Sequence, residues 1–181
     1  MSKPKVGIVM GSDSDLSVMQ ETARMLESFK IEYEMTICSF HRAPARTIEY
    51  ARRAETRGLE VIICGAGGAA HLAGSIAVQT NLPIIGVPMG TPALSGVDSL
   101  YSTLQMPGGV PVATMAIGVP GARNAAVLAA QILAIKYPEI KERLKRYKKE
   151  LVKELEEKAS TLERLGYKRY LKDRQSQKPQ K

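Results

Sequence analysis

Three short runs, Val6–Met10, Val61–Cys64 and Pro83–Val87, are apolar almost without interruption. A strand with one wet face alternates polar and apolar residues, whereas a strand covered on both faces does not. Segments of helical spacing separate the runs, and strands alternating with helices form a parallel sheet covered on both sides. From the first run the order is a helix ending near Phe29, with Val18, Met19, Ala23, Leu26 and Phe29 on one face. A second strand, Ile31–Cys38, reads as buried, and Ala45–Arg57 is a helix stopped by Gly58. After the third strand come Gly65–Ala70 and a short helix to Thr80; after the fourth, a Gly/Pro/Ser loop and a helical turn over Val97–Leu104. Val112–Ile117 is the fifth strand, and Ala122–Tyr137 is an alanine-rich helix, apolar nearly all round and therefore buried. Five such strands predict an α/β fold: a flavodoxin-like three-layer α/β/α sandwich around a five-stranded parallel sheet, occupying residues 1–137.

Beyond Pro138 the pattern changes. Ile140, Leu144, Tyr147, Leu151, Leu155, Ala159, Leu162 and Leu165 recur at spacings of three and four, which predicts one long amphipathic C-terminal helix. Residues 138–170 read as a helical extension packing on a neighbouring subunit, and 171–181 as a polar, frayed tail. This segment also holds the basicity: 15 Lys and Arg against 8 Asp and Glu, a net +7 of the chain's +8. Acids interleave with the bases and no aromatic platform accompanies them, so a solvated helix face is expected rather than a nucleic-acid partner. No apolar run approaches the roughly 20 residues needed to cross a bilayer, so no membrane partner is expected. The N-terminus runs straight into a strand, reading as a chain without a signal peptide. Cys38 and Cys64 each end a strand, an arrangement suited to a reducing cytoplasm.

The chemistry-bearing residues gather in loops that follow strands, where open parallel sheets bind ligands. Gly11-Ser12-Asp13-Ser14-Asp15 leads into a helix, whose free N–H groups favour an anion. Ser12 and Ser14 add hydroxyls, and Asp15 suits a sugar diol; the simpler alternative is that Ser12 or Asp13 caps the helix. Ser39-Phe40-His41-Arg42-Ala43-Pro44 places a proton carrier next to a planar cationic fork. A Cys38–His41 nucleophilic pair is disfavoured because Cys38 ends a buried strand. Gly65-Ala66-Gly67-Gly68-Ala69-Ala70-His71 has the G-x-G-x-x-A form of a dinucleotide loop. No Asp or Glu lies between Glu60 and Asp98, however, so the acid that holds a nicotinamide ribose is missing. The small residues instead line a pocket for a flat group. Two histidines without a Cys-x-x-Cys argue against zinc. Together these loops describe a phosphorylated sugar or nucleotide undergoing proton-coupled chemistry.

At these positions the chain resembles the N5-carboxyaminoimidazole ribonucleotide mutase family of purine biosynthesis. The resemblance rests on Met10–Asp15, Ser39-x-His41-Arg42-x-Pro44, Gly65–Leu72, Ala93–Ser102, Gln105-Met106-Pro107, Asn124–Ala126 and Leu128–Leu133, over about residues 5–137. It implies a cofactor-independent, metal-free isomerase that moves a carboxylate from the exocyclic nitrogen to C4 of the imidazole ring. It implies His41 as proton carrier, and Ser12, Asp15, Arg42 and Ser39 as phosphate and ribose contacts. Gly67, Gly68 and His71 would flank the base and the carboxylate. It further implies a small-molecule nucleotide substrate, a cytoplasmic homo-octamer and no resident cofactor. Phe40 stands where the family usually has alanine, and Ala73 where proline is usual. The second reading is a direct aminoimidazole ribonucleotide carboxylase using CO2 on the same fold.

Overall fold

The computed structural model describes residues 3–176. Its first compact unit runs through Lys141 and its second begins at Glu142. In the first unit five strands, β1 (Val6–Met10), β2 (Tyr33–Ile37), β3 (Val61–Ala66), β4 (Ile84–Pro88) and β5 (Ala113–Thr114), form one all-parallel sheet in the order β2-β1-β3-β4-β5. Between them lie α1 (Leu16–Ser28), α2 (Pro44–Arg52), α3 (Ala54–Arg57), α4 (Leu72–Ala77) and α5 (Val97–Leu104), and α6 (Val119–Leu133) follows β5. This is the expected three-layer sandwich. β1 and β3 pair in register, Ile8 with Ile63 and Val9 with Cys64, and the chain's direction of winding reverses between them. Sheets of this kind open a ligand crevice at that reversal.

Side-chain alternation divides the core in two. On one face Val9, Ile62, Cys64 and Ile84 join Ala51 of α2, Ala54 of α3 and Ile76 of α4 in a closed cluster. On the other, α1 packs against α6. The fully buried Ala122, Ala125, Ala126 and Ala129 of α6 allow that close approach. There the buried Thr22 hydroxyl donates to the Ala122 carbonyl at 2.9 Å, so a polar group at the helix contact is satisfied. At the amino end of the sheet the Glu60 carboxylate accepts hydrogen bonds from Lys5, Lys136 and the Tyr137 hydroxyl, tying β1, β3 and the segment after α6 together.

Five expectations are corrected or refined. The second strand is a sheet edge with β1 as its only neighbour, and Ile37 is 45% exposed, so it is not buried. Its sequence Tyr33-Glu34-Met35-Thr36-Ile37 alternates, as a half-covered strand should. The fifth strand shrinks to Ala113–Thr114 and pairs with Ile85 and Gly86. The helix expected over Ala45–Arg57 breaks at Arg53 into α2 and α3, although Gly58, at φ 100°, does end it as expected. The long helix α7 (Pro138–Ser176), most of which lies in the second unit, is present but interrupted at Gly166, whose φ of 71° and ψ of 157° are not helical. Helix then continues through Ser176, past Leu171 where a frayed tail was expected; residues 177–181 lie outside the described residues. No helix among the described residues is long and apolar enough to cross a membrane.

Candidate active site

The strand ladders continue one residue beyond the strands and so fix where each loop departs. The Cys38 N–H donates to the Met10 carbonyl at 2.9 Å, Gly11 N–H to Gly65 at 3.1 Å, and Met89 N–H to Ala66 at 2.9 Å. Four loops therefore leave the carboxyl ends of β2, β1, β3 and β4 side by side. Between them lies a cavity of about 480 Å³, within the size range of small-molecule sites.

Most of the expected residues meet there. Gly11, Ser12, Asp15, Ser39, His41, Arg42, Gly67 and His71 all line the cavity. Arg42 joins two of the loops: its Nε donates to the Ser39 hydroxyl at 3.1 Å and its Nη2 to the Gly11 carbonyl at 2.8 Å. His41 and His71, thirty residues apart in sequence, are in direct contact, Nε2 to Nδ1 at 2.8 Å, with their rings nearly perpendicular at 83°. One ring donates and the other accepts, so the pair shares one proton at that contact.

The first loop combines both readings of its sequence. Ser12 caps a short turn over Asp13–Asp15: its hydroxyl accepts from the Ser14 N–H at 3.4 Å, while the Asp15 carboxylate accepts from the Ser12 N–H at 3.2 Å. Both groups also border the cavity. Burial pushes the Asp15 carboxyl above its usual range, and hydrogen bonds from Ser12, Ser14 and Gly11 offset this only in part. The carboxyl borders the cavity with these three bonds already made, and a ligand hydroxyl would add a further one.

Gly68 does not line the cavity. It bends the loop behind the wall at φ 67°, a conformation in which a side chain is strained. Met89, Gly90 and Thr91, after β4, form a further wall that the sequence reading did not assign to the site. Their signal was the rule that put the other loops there, a glycine-containing turn at a strand's carboxyl end. Phe40 lines the cavity and also packs against the core beneath it, with its ring 6.1 Å from that of His41. Ala73 is buried in the first turn of α4, where proline is also tolerated, and lies outside the cavity lining. Cys38 is buried, its thiol pushed up by that burial, and it does not reach the cavity. Among the described residues no three His, Cys, Asp or Glu side chains are grouped to hold a metal ion.

This geometry combines with the comparisons to other proteins. The family described as AIR carboxylase matches residues 5–154. The chain belongs to that family. It is 61% identical over 171 residues to the N5-carboxyaminoimidazole ribonucleotide mutase of Pyrococcus horikoshii, covering 94% of this chain and 96% of that protein. It is 59% identical over 172 residues to the Thermotoga maritima protein of the same name, covering 95% and 99%. The crystal structure of Treponema denticola PurE superimposes with a TM-score of 0.80 at 30% identity, covering 88% of this chain and 98% of that one. Membership of the family and the parallel sandwich thus agree with the reading made from the loops.

Proposed function

We propose that the protein is an isomerase of purine biosynthesis that converts N5-carboxyaminoimidazole ribonucleotide to 4-carboxy-5-aminoimidazole ribonucleotide. The observation that carries this reading is the His41–His71 contact inside a cavity that Arg42 closes from the side. The names of relatives that align over nearly their whole length support the substrate. In this reading Arg42 and Ser12 hold the phosphate, Ser39 orients Arg42, and Asp15 accepts from the ribose diol. The imidazole ring lies against the Gly67 wall, which a side chain would fill.

The carboxylate's bond to the exocyclic nitrogen breaks, its electron pair stays on nitrogen, and protonated His41 supplies the proton that makes the amine. The CO2 released is held in the cavity. C4 then attacks it, and His41 takes the proton from C4, restoring the aromatic ring and its own starting state. His71 receives or returns that proton through the shared contact. Nothing is oxidised or reduced, and the proton count closes without a cofactor.

The chain is further proposed to act as a homo-oligomer, an octamer, in the cytoplasm. Val97, Tyr101 and Leu104 form an exposed apolar stripe along α5, and Leu151, Leu155 and Leu162 are exposed on α7. Surfaces of this kind fit another copy, including the proposed packing of 138–170 on a neighbour. Free Cys38 and Cys64 are in keeping with a reducing compartment. The activity is tested by supplying N5-carboxyaminoimidazole ribonucleotide in one reaction and aminoimidazole ribonucleotide with bicarbonate in another. Turnover of the first supports the mutase; turnover only of the second replaces it with the direct carboxylase.

A further inference from the structure

The segment Gly96-Val97-Asp98-Ser99-Leu100-Tyr101-Ser102 contributes nothing to the cavity lining, yet its polar side chains turn inward toward two of the cavity's walls. Ser99 is fully buried, and its hydroxyl accepts the Gly68 N–H at 2.9 Å. One turn on, the Ser102 hydroxyl donates to the Asp98 carbonyl at 2.7 Å and reaches the Gly68 carbonyl as a weaker second acceptor at 3.3 Å. Gly68 is thus gripped at both its backbone polar groups from one helix. The same helix start holds the wall after β4: Thr91 donates to the Asp98 carboxylate at 2.7 Å and accepts from the Gly96 N–H at 3.1 Å. Gly67 backs onto this arrangement, since a side-chain carbon built there would lie 3.2 Å from Met89, 3.8 Å from Thr91 and 3.9 Å from the Ser99 hydroxyl.

We propose that Ser99 and Ser102 are positioning residues for catalysis: through Gly68 they set the height of the Gly65–Ala70 wall, and hence where the reacting ring sits against the histidine pair. Asp98 holds the adjoining Met89–Thr91 wall through Thr91. α5 therefore acts as a brace for both walls without touching substrate. A buried donor–acceptor pair holds one geometry, because an unpaired partner is costly. Small displacements of a reacting group are also costly: about 1 Å of misplacement can reduce rate by ~10²-fold.

The proposal rests on the Gly67 wall belonging to the active site, and its test separates the two claims. Ser99→Ala and Ser102→Ala are each compared with the unsubstituted protein by hydrogen–deuterium exchange of the peptide covering 65–71, without substrate, and by steady-state kinetics. The expected result is exchange in 65–71 faster by about tenfold or more, reflecting more frequent local opening. With it comes a kcat lower by about tenfold or more and a KM within about threefold, because the phosphate end is untouched. Unchanged exchange in 65–71 overturns the brace, as does faster exchange with normal kcat. A rise in KM with kcat unchanged also overturns it. Ser102 is only half-buried, so Ser102→Ala decides the matter if Ser99→Ala does not fold. If the unsubstituted protein shows no mutase turnover, the functional reading falls while the exchange result still reports on the brace.

Discussion

Replacing His41 with asparagine removes the proton carrier while keeping a polar group of similar reach. General acid–base catalysis contributes about 10²–10⁴-fold, or about 3–5 kcal/mol of barrier at roughly 1.36 kcal/mol per tenfold. The structure narrows that range. His71 lies 2.8 Å from His41 and borders the same cavity, so a second imidazole remains within reach of the substrate when the first is gone. The single substitution is therefore expected at the lower end, about 10²–10³-fold in kcat, and His41→Asn combined with His71→Asn at the upper end. KM should stay within about threefold, since the phosphate contacts assigned to Arg42 and Ser12 remain. The assay is single-substrate conversion of N5-carboxyaminoimidazole ribonucleotide, with product separated and quantified, for both single substitutions and the double. The effects of the two singles should not multiply: each ring partly covers the loss of the other, so the double loss should exceed the product of the singles. A kcat within about threefold of normal for His41→Asn refutes the proton-carrier role. Strictly multiplicative losses refute the shared relay.

Two other substitutions probe the anion clamp and the far end of the sheet. Arg42→Ala loses a charged donor and the bridge from Ser39 to Gly11, so KM is expected to rise by about 10- to 150-fold, the equivalent of about 1.5–3 kcal/mol for a hydrogen bond to a charged group; unchanged affinity for a phosphorylated ligand contradicts the assignment. Glu60 is partly buried, which raises its carboxyl, but hydrogen bonds from Tyr137, Lys136 and Lys5 outweigh burial and hold it below its usual range. A carboxyl lowered by folding contributes stability above its unfolded pKa of about 4.3, lost as pH falls through the folded value. Glu60→Gln should therefore lower Tm by about 2–4 °C at pH 7, a loss of about 1 kcal/mol for this screened cluster. The gap should close in thermal melts below about pH 4; a gap independent of pH refutes the role of the charge.

Much of this was legible in the sequence because burial on both faces leaves a mark. Val6–Met10 and Val61–Cys64 could be placed to within two residues, and all but one of the proposed site residues line one cavity. What escaped has physical causes. The Glu34 and Thr36 alternation of β2 is an edge signal that was outweighed by its apolar neighbours. The two-residue β5 pairs only with Ile85 and Gly86 although β4 runs on to Pro88, and the apolar stretch Val112–Ile117 carries no mark of so short a pairing. Gly166 follows the last residue of the periodic stripe, Leu165, and only its dihedral angles show the break. The third wall, Met89–Thr91, carries no ionisable side chain to draw notice. Gly68 looked like a ligand contact because glycines in such loops often are, whereas here its bend serves the loop behind the wall. The contact between the two imidazoles depends on strand order, which composition and spacing do not encode.

That strand order has a consequence for heat inactivation. His41 follows β2 and His71 follows β3, and β1 lies between those strands. The rings meet over two interstrand gaps, a span of about 10 Å at the usual spacing, above the two adjacent backbone ladders β2–β1 and β1–β3. The sheet fixes where both loops begin, so short of melting only the loops themselves can part the rings. Turnover on warming should then be lost no later than cooperative melting of the sandwich, so the stability of the scaffold sets the upper temperature limit of the catalyst.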